Sequence, residues 1–357
     1  MAPVFQPGAI GVSSLVSVTI VTYNSARFIG RCLDYVFQQD YAPLEIIVVD
    51  NASTDDTPAI LPDFAKRVRL ISNPENVGFA AAHNQGIALA AGDWVLTLNP
   101  DVRLTREFIG KMVAAGEANP DVGSVSGKLL RMSPDFEAPA NPIIDSTGMY
   151  FTPNIRHFDR GSNQPDDGRY DRCEYVFGAS GAAALYRRKM IEDISIKGEF
   201  FDSDFFAYRE DADVAWRAQL LGWKCVYTPK AIAYHVRSVL PENRRSLPAV
   251  INLHSVKNRF LLRIKNMTFR LWLPRYPAIL FRDLMVVGGC LLRERSSLPA
   301  FLLLLRLIPR ALEKRRAIMR RRRVCHRNLA PWFSSKPVSY PAPDIAAKVE
   351  GRALATS

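Results

Sequence analysis

The chain has 357 residues, of which 48% are hydrophobic and 23% are charged. This length and composition allow a large ordered core and exclude a chain that is disordered throughout. The net charge of +12 is concentrated near the C-terminus, because residues 257–327 contain 19 Lys/Arg and three acids, so the basic surface that would attract an acidic partner is expected there.

The first hundred residues alternate patterns of strand and helix. Residues 1–13 are predicted to be a loose leader. Predicted strands cover residues 15–21, 44–49, 68–72 and 95–98, and predicted helices cover 26–39 and 80–91. Continuous apolar runs of this length are typical of parallel strands covered on both faces. The pattern therefore predicts an α/β fold with a doubly wound, mostly parallel sheet.

Polar residues follow three of these strands. Thr22-Tyr23-Asn24 closes the first strand, Asp50-Asn51-Ala52-Ser53-Thr54-Asp55-Asp56 the second, and Asn99-Pro100-Asp101 the last. Ligands of open α/β sheets bind outside the carboxyl ends of the strands, where a carboxylate such as Asp101 could hold a divalent cation. A plain turn at 99–101, and helix capping by Ser53 or Thr54, are the structural alternatives. No Gly-x-Gly-x-x-Gly motif follows the first strand, which favours a mononucleotide or nucleotide sugar over a dinucleotide.

The second half of the chain contains further candidates. A helix is predicted at 108–119 and a strand at 122–130, followed by an irregular segment, 131–172, which is interpreted as a loop or hairpin near the site. Small residues in 176–188 either leave room for a sugar or allow a tight strand crossing. A predicted helix follows Glu210-Asp211 and ends at Gly222, and a strand at 224–228 leads towards His235.

Four of these motifs, in this order and spacing, resemble the family-2 glycosyltransferases of the GT-A fold. They are Val21-Thr22-Tyr23-Asn24, the segment 48–55, the segment 76–86, and Asn99-Pro100-Asp101. The branch with the greatest similarity is that of bacterial rhamnosyltransferases of cell-wall and O-antigen assembly, in which Asn-Pro-Asp stands where other members have Asp-x-Asp. The resemblance covers residues 15–265.

The resemblance implies roles for individual residues. Those implied for the nucleotide sugar are Thr22, Tyr23, Asn24, Asp50, Asn51, Ser53, Asn76, Gly78, Asn84 and Asn99, with Asp50 accepting a hydrogen bond from a pyrimidine ring. Asp101 and His235 are the implied ligands of Mg²⁺ or Mn²⁺, although a lone histidine such as His235 is also a common structural residue. The residue in place of the first metal carboxylate is Asn99, so the donor diphosphate would have to supply further ligands.

The Glu210-Asp211 pair is the predicted catalytic centre. The resemblance implies that Asp211 is the general base of an inverting transfer, with Glu210 beside it. Acids in the first turn of a helix are also expected because of the helix dipole, and Asp213 with Arg217 would form an ordinary i,i+4 pair. His157, in the irregular segment, is predicted to be a surface loop residue.

The resemblance implies an enzyme of bacterial cell-surface polysaccharide synthesis. L-Rhamnose from dTDP-L-rhamnose is the predicted donor sugar, and a lipid-linked saccharide at the cytoplasmic side of the cell membrane is the predicted acceptor. The residues do not exclude a UDP-sugar as donor. A catalytically silent nucleotide-sugar-binding scaffold protein is the alternative of a different class, which the presence of both Asp101 and Asp211 disfavours.

The C-terminal part is basic and helical, with helices predicted at 253–265, 277–293 and 298–323. The apolar runs are too short to span a bilayer and suit helices that lie at an anionic membrane surface. Nucleic-acid binding is disfavoured because aromatic stacking platforms are missing, while simple packing on the core remains an alternative. The predicted organisation is a glycosyltransferase domain at 14–238, divided at 130/131 into nucleotide-sugar and acceptor halves, a membrane-associating segment at 239–330, and a disordered tail at 331–357.

The cysteines and the N-terminus indicate the compartment. Five cysteines are far apart and lack Cys-x-x-Cys spacing, which argues against a disulfide framework or a zinc site and favours a reducing cytosol. No secretory signal pattern is recognised at the start of the sequence. A peripheral protein on the cytoplasmic side of the membrane is therefore expected.

Overall fold

The structure is a computed structural model that describes residues 13–237 and 249–348. The predicted leader at 1–13 lies, except for its last residue, outside the described residues. The strands are β1 (Val16–Thr22), β2 (Leu44–Asp50), β3 (Arg69–Ser72), β4 (Trp94–Leu98), β5 (Val102–Leu104), β6 (Val122–Arg131), β7 (Ile144–Ser146), β8 (Met149–Phe151), β9 (His157–Asp159), β10 (Glu174–Val176), β11 (Ala183–Arg187), β12 (Lys224–His235) and β13 (Tyr340–Pro341). The helices are α1 (Ile29–Phe37), α2 (Thr57–Ile60), α3 (Phe79–Leu89), α4 (Phe108–Glu117), α5 (Arg188–Ile194), α6 (Glu210–Leu220), α7 (Ala249–Asn266), α8 (Phe269–Trp272), α9 (Tyr276–Leu292), α10 (Pro299–Arg321) and α11 (His326–Leu329).

One mixed sheet organises the molecule. Its strands follow the order β13-β10-β12-β6-β11-β4-β1-β2-β3, with β5 beside β12 and β7 beside β6. The block β3-β2-β1-β4 is parallel; β1, β4 and most of β2 are buried on both faces, which is the reason for their continuous hydrophobic runs, whereas the edge strand β3 is partly exposed. Strand β11 is antiparallel to both β4 and β6. The predicted α/β fold with a mostly parallel sheet is confirmed.

The predicted elements of the first 130 residues are all present, and their ends agree within three residues. Two differences appear further along the chain. Strand β12 continues to His235 rather than ending at 228, because its second half pairs with β6 and β5. The irregular segment 131–172 contains β7 and a hairpin made by β8 and β9.

Helix α7 packs against the segment that precedes α6 through buried charges. Lys265 of α7 forms ion pairs with Asp202 and with Asp213, the latter at 2.9 Å. Lys314 of α10 pairs with the same Asp202 and, at 2.9 Å, with Asp204. These lysines and carboxylates are almost fully buried, so each charge has to be compensated by another within the cluster. The C-terminal helices and the sheet domain therefore share one core, across a predicted boundary at 238/239 that lies outside the described residues.

The predicted disordered tail is wrong for residues 331–348. Trp332 and Phe333 are buried, and the Phe333 ring lies 4.9 Å from that of Trp216 on α6 and 5.4 Å from that of Phe151. Strand β13 then pairs with β10 at the end of the sheet. The prolines that suggested disorder interrupt regular structure, but aromatic burial supplies the stabilisation. Residues 349–357 lie outside the described part of the chain.

Helices α9 and α10 expose a group of large apolar side chains. Its most exposed members are Phe281, Leu284, Met285, Leu291, Leu292, Leu302 and Leu305. In the described ranges, no helix combines the length and the hydropathy that crossing a membrane requires.

Candidate active site

A cavity of about 450 Å³ opens at the carboxyl edge of the parallel strands. Two groups of carboxylates line it. Asp101 lies on the side of β4, and Glu210 and Asp211 belong to the first turn of α6. Asn99 and His235 also line the cavity, so the predicted catalytic and metal residues meet in one place.

Asp211 is held by backbone N–H groups. The N–H of Gly181 donates to Oδ2 at 3.1 Å, and the N–H of Ala212 donates to Oδ1 at 2.7 Å. Burial and the negative charge of Asp159 raise the pKa of Asp211 above the ordinary aspartate value, while the two N–H groups and Arg209 oppose that shift. The carboxylate is fixed in position and more basic than a surface aspartate, which suits a proton acceptor.

Glu210 differs from its neighbour because it is buried and one carboxyl oxygen, Oε2, has no hydrogen-bond partner. Burial and the charge of Asp211 raise the pKa of Glu210 to about 8. Each carboxylate disfavours ionisation of the other, and the larger rise falls on Glu210, whose burial is not offset by a hydrogen bond to Oε2.

The turn before α6 has an unusual backbone. Phe206, Tyr208 and Arg209 all have positive φ, at 65°, 69° and 72°. Conformations of this kind cost free energy for residues other than glycine and persist only where the surroundings enforce them. The Nδ2 group of Asn258, on α7, donates to the carbonyls of residues 205, 207 and 208 at 2.7–2.9 Å. Asn258 therefore holds the turn that delivers Glu210 and Asp211 to the cavity.

His235 reaches Asp101 through strand pairing. The antiparallel register of β12 and β5 sets His235 opposite Val102, and His235 Nε2 lies 3.4 Å from Asp101 Oδ1. Its Nδ1 lies 2.8 Å from Asp145 Oδ2. Burial alone would lower the pKa of His235, but the carboxylates of Asp101 and Asp145 raise it to about 10.

The residues near Asp101 suit a divalent cation. Asn99 Oδ1 is buried and has no hydrogen-bond donor, so it is an oxygen available as a ligand. Asp145 can accept the Nδ1 proton of His235 and so direct Nε2 towards Asp101, an arrangement common beside metal ions. Within ranges 13–237 and 249–348, no group of three His, Cys, Asp or Glu residues is arranged to hold a metal.

Apart from Asn99, the residues predicted to bind the nucleotide lie outside the lining of the cavity, and those that follow β1 and β2 form a second group at the same sheet edge. Asp50 accepts hydrogen bonds from the hydroxyls of Thr22 at 2.9 Å and Ser53 at 2.6 Å. Asn24 joins them through its N–H, which donates to Ser53 Oγ at 2.9 Å. Tyr23 is 50% exposed beside them. The cluster combines carboxylate, hydroxyl and aromatic surfaces.

Asn51, which follows β2, and Asn76, between β3 and α3, form a separate hydrogen-bond network. Asn51 Nδ2 donates to Asn76 Oδ1 at 2.8 Å, and the N–H of Gly78 donates to the same oxygen at 2.9 Å. Gly78 has φ +89°, and a Cβ there would lie 2.5 Å from the ring of Phe206. Asn84 is placed differently, because its amide exchanges two hydrogen bonds with the backbone of Phe201. That pairing holds α3 against the segment at 200–205.

Several residues of the cavity were not identified from the sequence. Asp145, Asp159 and Arg237 form a connected set in which Arg237 pairs with Asp145 at 3.0 Å and with Asp159 at 2.6 Å. The prediction that His157 is a surface loop residue is wrong, because the β8–β9 hairpin folds it into the cavity, 3.0 Å from Arg209. The ion pairs of Arg237 join it to residues 92 and 78 positions away, which leaves no local motif, although the aromatic and charged content of 131–172 was a signal.

Small residues border the cavity beside Asp211. Ser180, Gly181 and Ala182 line it, as predicted for the segment 176–188. The alternative reading also holds for part of the segment, because a Cβ at Gly178 would lie 2.3 Å from the Cβ of Ala215. Gly178 thus allows the strand to approach α6, whereas Gly181 supplies the N–H that holds Asp211.

A sequence profile of the family "Glycosyl transferase family 2" matches residues 17–195, which is half of the chain. Curated relatives include the succinoglycan biosynthesis protein ExoO of Rhizobium meliloti, with 28% identity over 65% of this chain and 64% of the relative. The N-acetylglucosaminyl-diphospho-decaprenol L-rhamnosyltransferase of Mycobacterium tuberculosis has 29% identity over 63% of this chain and 76% of the relative. The match to ExoO thus spans less than two thirds of that protein's length.

Solved structures agree in fold. GalNAc-T7, in complex with UDP, GalNAc and Mn²⁺, superimposes with a TM-score of 0.59 at 13% identity, covering 86% of this chain and 55% of that one. Staphylococcus aureus TarS 1-349, in complex with UDP, gives a TM-score of 0.50 at 18% identity, covering 85% and 90%. At these identities the likeness concerns the GT-A type of fold alone.

Proposed function

The chain belongs to glycosyl transferase family 2, and from this membership we propose that it is an inverting glycosyltransferase that uses a nucleotide sugar. The observation that carries the proposal is the meeting in one cavity of Asp211, fixed by backbone N–H groups, with Asp101, Asn99 and His235. Asp211 suits proton abstraction from an acceptor hydroxyl, whereas Asp101, Asn99 and His235 suit a cation and a diphosphate.

We assign Asp211 as the general base. It removes the proton from the acceptor hydroxyl while the hydroxyl oxygen forms a bond to the anomeric carbon of the donor sugar. The bond from that carbon to the diphosphate breaks on the opposite face, so the configuration inverts. The proton ends on Asp211 and the electron pair on the departing nucleoside diphosphate. The two N–H groups on its carboxylate keep Asp211 oriented for this step.

Glu210 is proposed to support the base rather than to replace it. Its raised pKa keeps it protonated at neutral pH, which removes a second negative charge from beside Asp211. A double negative charge in this buried turn would raise the pKa of Asp211 further and leave less of it ionised.

The cation would be held by Asp101, Asn99 and His235, with Asp145 orienting the imidazole and the Nε2 proton of His235 released on binding. A bound Mg²⁺ or Mn²⁺ supplies positive charge that stabilises the departing diphosphate. Since these three side chains leave the coordination incomplete, the donor diphosphate and water would complete it. We therefore expect weak affinity for the cation in the absence of the nucleotide sugar.

The nucleoside is proposed to bind at the ends of β1 and β2. Asp50 has accepting capacity left for the ring N–H of a pyrimidine, because three of about four lone-pair positions are used by Thr22 and Ser53. The exposed ring of Tyr23 offers a surface on which a base can stack. Asn51 follows β2, and Asn76 and Gly78 lie between β3 and α3; the ribose would be located beside these residues.

We propose dTDP-L-rhamnose as donor and a lipid-linked saccharide as acceptor, in the synthesis of a bacterial cell-surface polysaccharide. The support is the activity for which the mycobacterial relative is named, together with Asn99 in place of a metal carboxylate. A UDP-sugar is the alternative donor. A silent nucleotide-sugar-binding scaffold is the alternative of another class, which would bind the donor without transfer.

A peripheral location on the cytoplasmic side of an anionic membrane is part of the proposal. The exposed apolar side chains of α9 and α10 are flanked by Arg282, Arg293, Arg306 and Arg310. Apolar groups can enter the interface while each nearby arginine gains about 1 kcal/mol from anionic headgroups. This combination favours a bilayer surface over a protein partner, whose interface core would be depleted of charge.

The proposal is tested with a panel of nucleotide sugars. The thermal midpoint is measured with dTDP-L-rhamnose, UDP-glucose and UDP-N-acetylglucosamine, each with Mg²⁺, with Mn²⁺ and with chelator. We expect a cation-dependent rise with dTDP-L-rhamnose, and the loss of its cation dependence in Asp101→Asn. A larger rise with a UDP-sugar would replace the donor, while no rise with any of them would overturn nucleotide-sugar binding. Transfer to a lipid-linked saccharide then separates an enzyme from a silent binder.

A further inference from the structure

Arg259 of α7 is a buried cation without a counter-ion among the described residues. Its side chain belongs to a residue that is 5% exposed, and its Nε is buried without a hydrogen-bond acceptor. No carboxylate of the described ranges forms an ion pair with it. A buried charge without a partner is costly, and a bound anion would compensate it.

The groups around Arg259 are also positive. Burial, together with the charges of Arg209, Arg282, Arg263 and Arg156, lowers the pKa of Arg259 to about 8. Arg263 is neutralised by Asp283 at 2.8 Å, but Arg282 forms no ion pair in the part of the chain that the structure describes, and its Nε is buried without an acceptor. An anion with more than one negative charge would relieve the repulsion among these guanidinium groups.

The cluster is located beside the active-site cavity. Arg209 lines the cavity, and its Nε donates to the backbone carbonyl of Ser255 at 3.4 Å. Ser255 lines the cavity as well, and Arg259 follows it by four residues on the same face of α7. The cluster thus continues from the cavity along α7.

On its other side the cluster meets α9, the helix with the exposed apolar surface. Arg282 is a residue of α9; Phe281 precedes it in sequence and Met285 follows it by one turn, and these apolar side chains are 68% and 56% exposed. Positive charge therefore lies between the catalytic carboxylates and a surface suited to hydrocarbon.

We propose that Arg156, Arg209, Arg259 and Arg282 form a binding site for the diphosphate of an isoprenoid-linked acceptor. The saccharide would extend into the cavity towards Asp211, and the isoprenoid chain would leave over α9 into the interface. This inference rests on the proposed function and identifies the chemical class of its acceptor. A diphosphate carries several negative charges. Pairs of its oxygens can each accept two hydrogen bonds from the planar fork of donors on an arginine.

The donor diphosphate is a less suitable occupant. The predicted nucleotide residues lie at the ends of β1 and β2, and the cation residues lie at the end of β4, whereas Arg259 and Arg282 belong to α7 and α9. A nucleotide sugar also has no apolar chain that would use the exposed side chains of α9. The acceptor combines both chemistries in one molecule.

Binding of farnesyl diphosphate to the full-length protein tests the site without requiring transfer. We compare wild type, Arg259→Met and the matched control Arg320→Met, which changes an exposed arginine of α10. We expect farnesyl diphosphate to bind at least tenfold more tightly than farnesol, and this difference to disappear in Arg259→Met but not in Arg320→Met. Binding of dTDP or UDP should be the same in all three proteins. Arg282→Met, at a partly exposed position, provides the same test if Arg259→Met does not fold.

Several outcomes would overturn the proposal. Unchanged binding of farnesyl diphosphate in both Arg259→Met and Arg282→Met would remove the diphosphate site. An equal loss of nucleotide binding would assign the cluster to the donor. A loss confined to phosphatidylglycerol vesicles would assign it to lipid headgroups. If farnesyl diphosphate binds as expected but no nucleotide sugar does, the proposed function fails while the diphosphate site stands.

Discussion

Asp211 differs from the other carboxylates of the cavity because both of its oxygens already accept backbone N–H groups. Asp211→Asn keeps the size of the side chain and removes its ability to take a proton. We expect transfer to fall by about 10²–10⁴-fold, the usual contribution of a general base, with nucleotide-sugar binding nearly unchanged. Single-turnover kinetics and calorimetric titration of the donor measure the two effects. A variant that turns over at the wild-type rate would exclude the base role.

Glu210 should make stability depend on pH. Its pKa is raised from 4.5 to about 8, so between those values the folded chain holds a proton that the unfolded chain has lost. The stabilisation is therefore complete below about pH 4.5 and disappears as the pH rises to 8. We expect the free energy of unfolding of the wild type to fall across this range, and Glu210→Gln to flatten the dependence. Urea unfolding at pH 5, 7 and 9 measures it; parallel curves for both proteins would contradict the assignment.

At the residue scale, Asp101 follows a predicted strand end, and the resemblance to family-2 glycosyltransferases singled out Asp101, Asp211 and His235. The structure brings these three residues to one cavity, while their roles stay predictions. Asp145 and Arg237 were missed because their position depends on pairing between distant segments. Asn84 shows the converse limit, since its amide hydrogen bonds to Phe201, 117 residues away, and no local pattern predicts that contact.

At the scale of elements, α7 controls the turn from which α6 begins. The turn has three positive φ values outside glycine, and Asn258 donates to three of its carbonyls. Asn258→Ala removes these donors, so we expect the turn to relax and the carboxylates of α6 to move. A displacement of about 1 Å lowers rates by about 10²-fold, with a smaller effect on the KM for the donor. Steady-state kinetics measure both quantities. The matched control is Asn252→Ala, on the same helix and also buried; an equal loss there would indicate a general effect on folding.

The aromatic residues after α10 form a second support of α6. Trp332 packs with Phe177, and Phe333 packs with Trp216 of α6. We expect Trp332→Ala to reduce the free energy of unfolding by about 3 kcal/mol, the usual cost of removing a large buried aromatic side chain. Guanidinium unfolding measures the difference, with Lys336→Ala as an exposed control in the same segment. A change below about 0.5 kcal/mol, typical of a surface site, would contradict the observed packing.

Element prediction failed where composition competed with burial. The segment after residue 330 contains several prolines, which favour irregular structure, yet its aromatic side chains are buried against the core. The parallel strands of the first half were found because both of their faces are covered, which makes the apolar run continuous. The short strands of the β8–β9 hairpin have no such run, and their pairing depends on contacts across the cavity.

For the whole molecule, the exposed apolar side chains of α9 predict binding to anionic membranes. Phe281→Ser combined with Leu284→Ser removes two of the most exposed members of this surface. We expect partitioning onto phosphatidylglycerol vesicles to fall tenfold or more, because burial of each side chain contributes about 1.5–3 kcal/mol. The control is Ile143→Ser, an exposed apolar position next to β7, and co-sedimentation measures all three proteins. Equal sedimentation of the double variant and the wild type would exclude the membrane surface.

The buried ion pairs between α7, α10 and the segment before α6 limit how this protein can be re-engineered. Lys265 and Lys314 form ion pairs with Asp202, Asp204 and Asp213, and those carboxylates lie within ten residues of Asp211. In a chimaera that carries the C-terminal helices of a relative, these carboxylates would lose their lysine partners unless the new helices contained matching lysines. The C-terminal helices are therefore not an interchangeable module here, and a swap without matching lysines should yield an unstable chain.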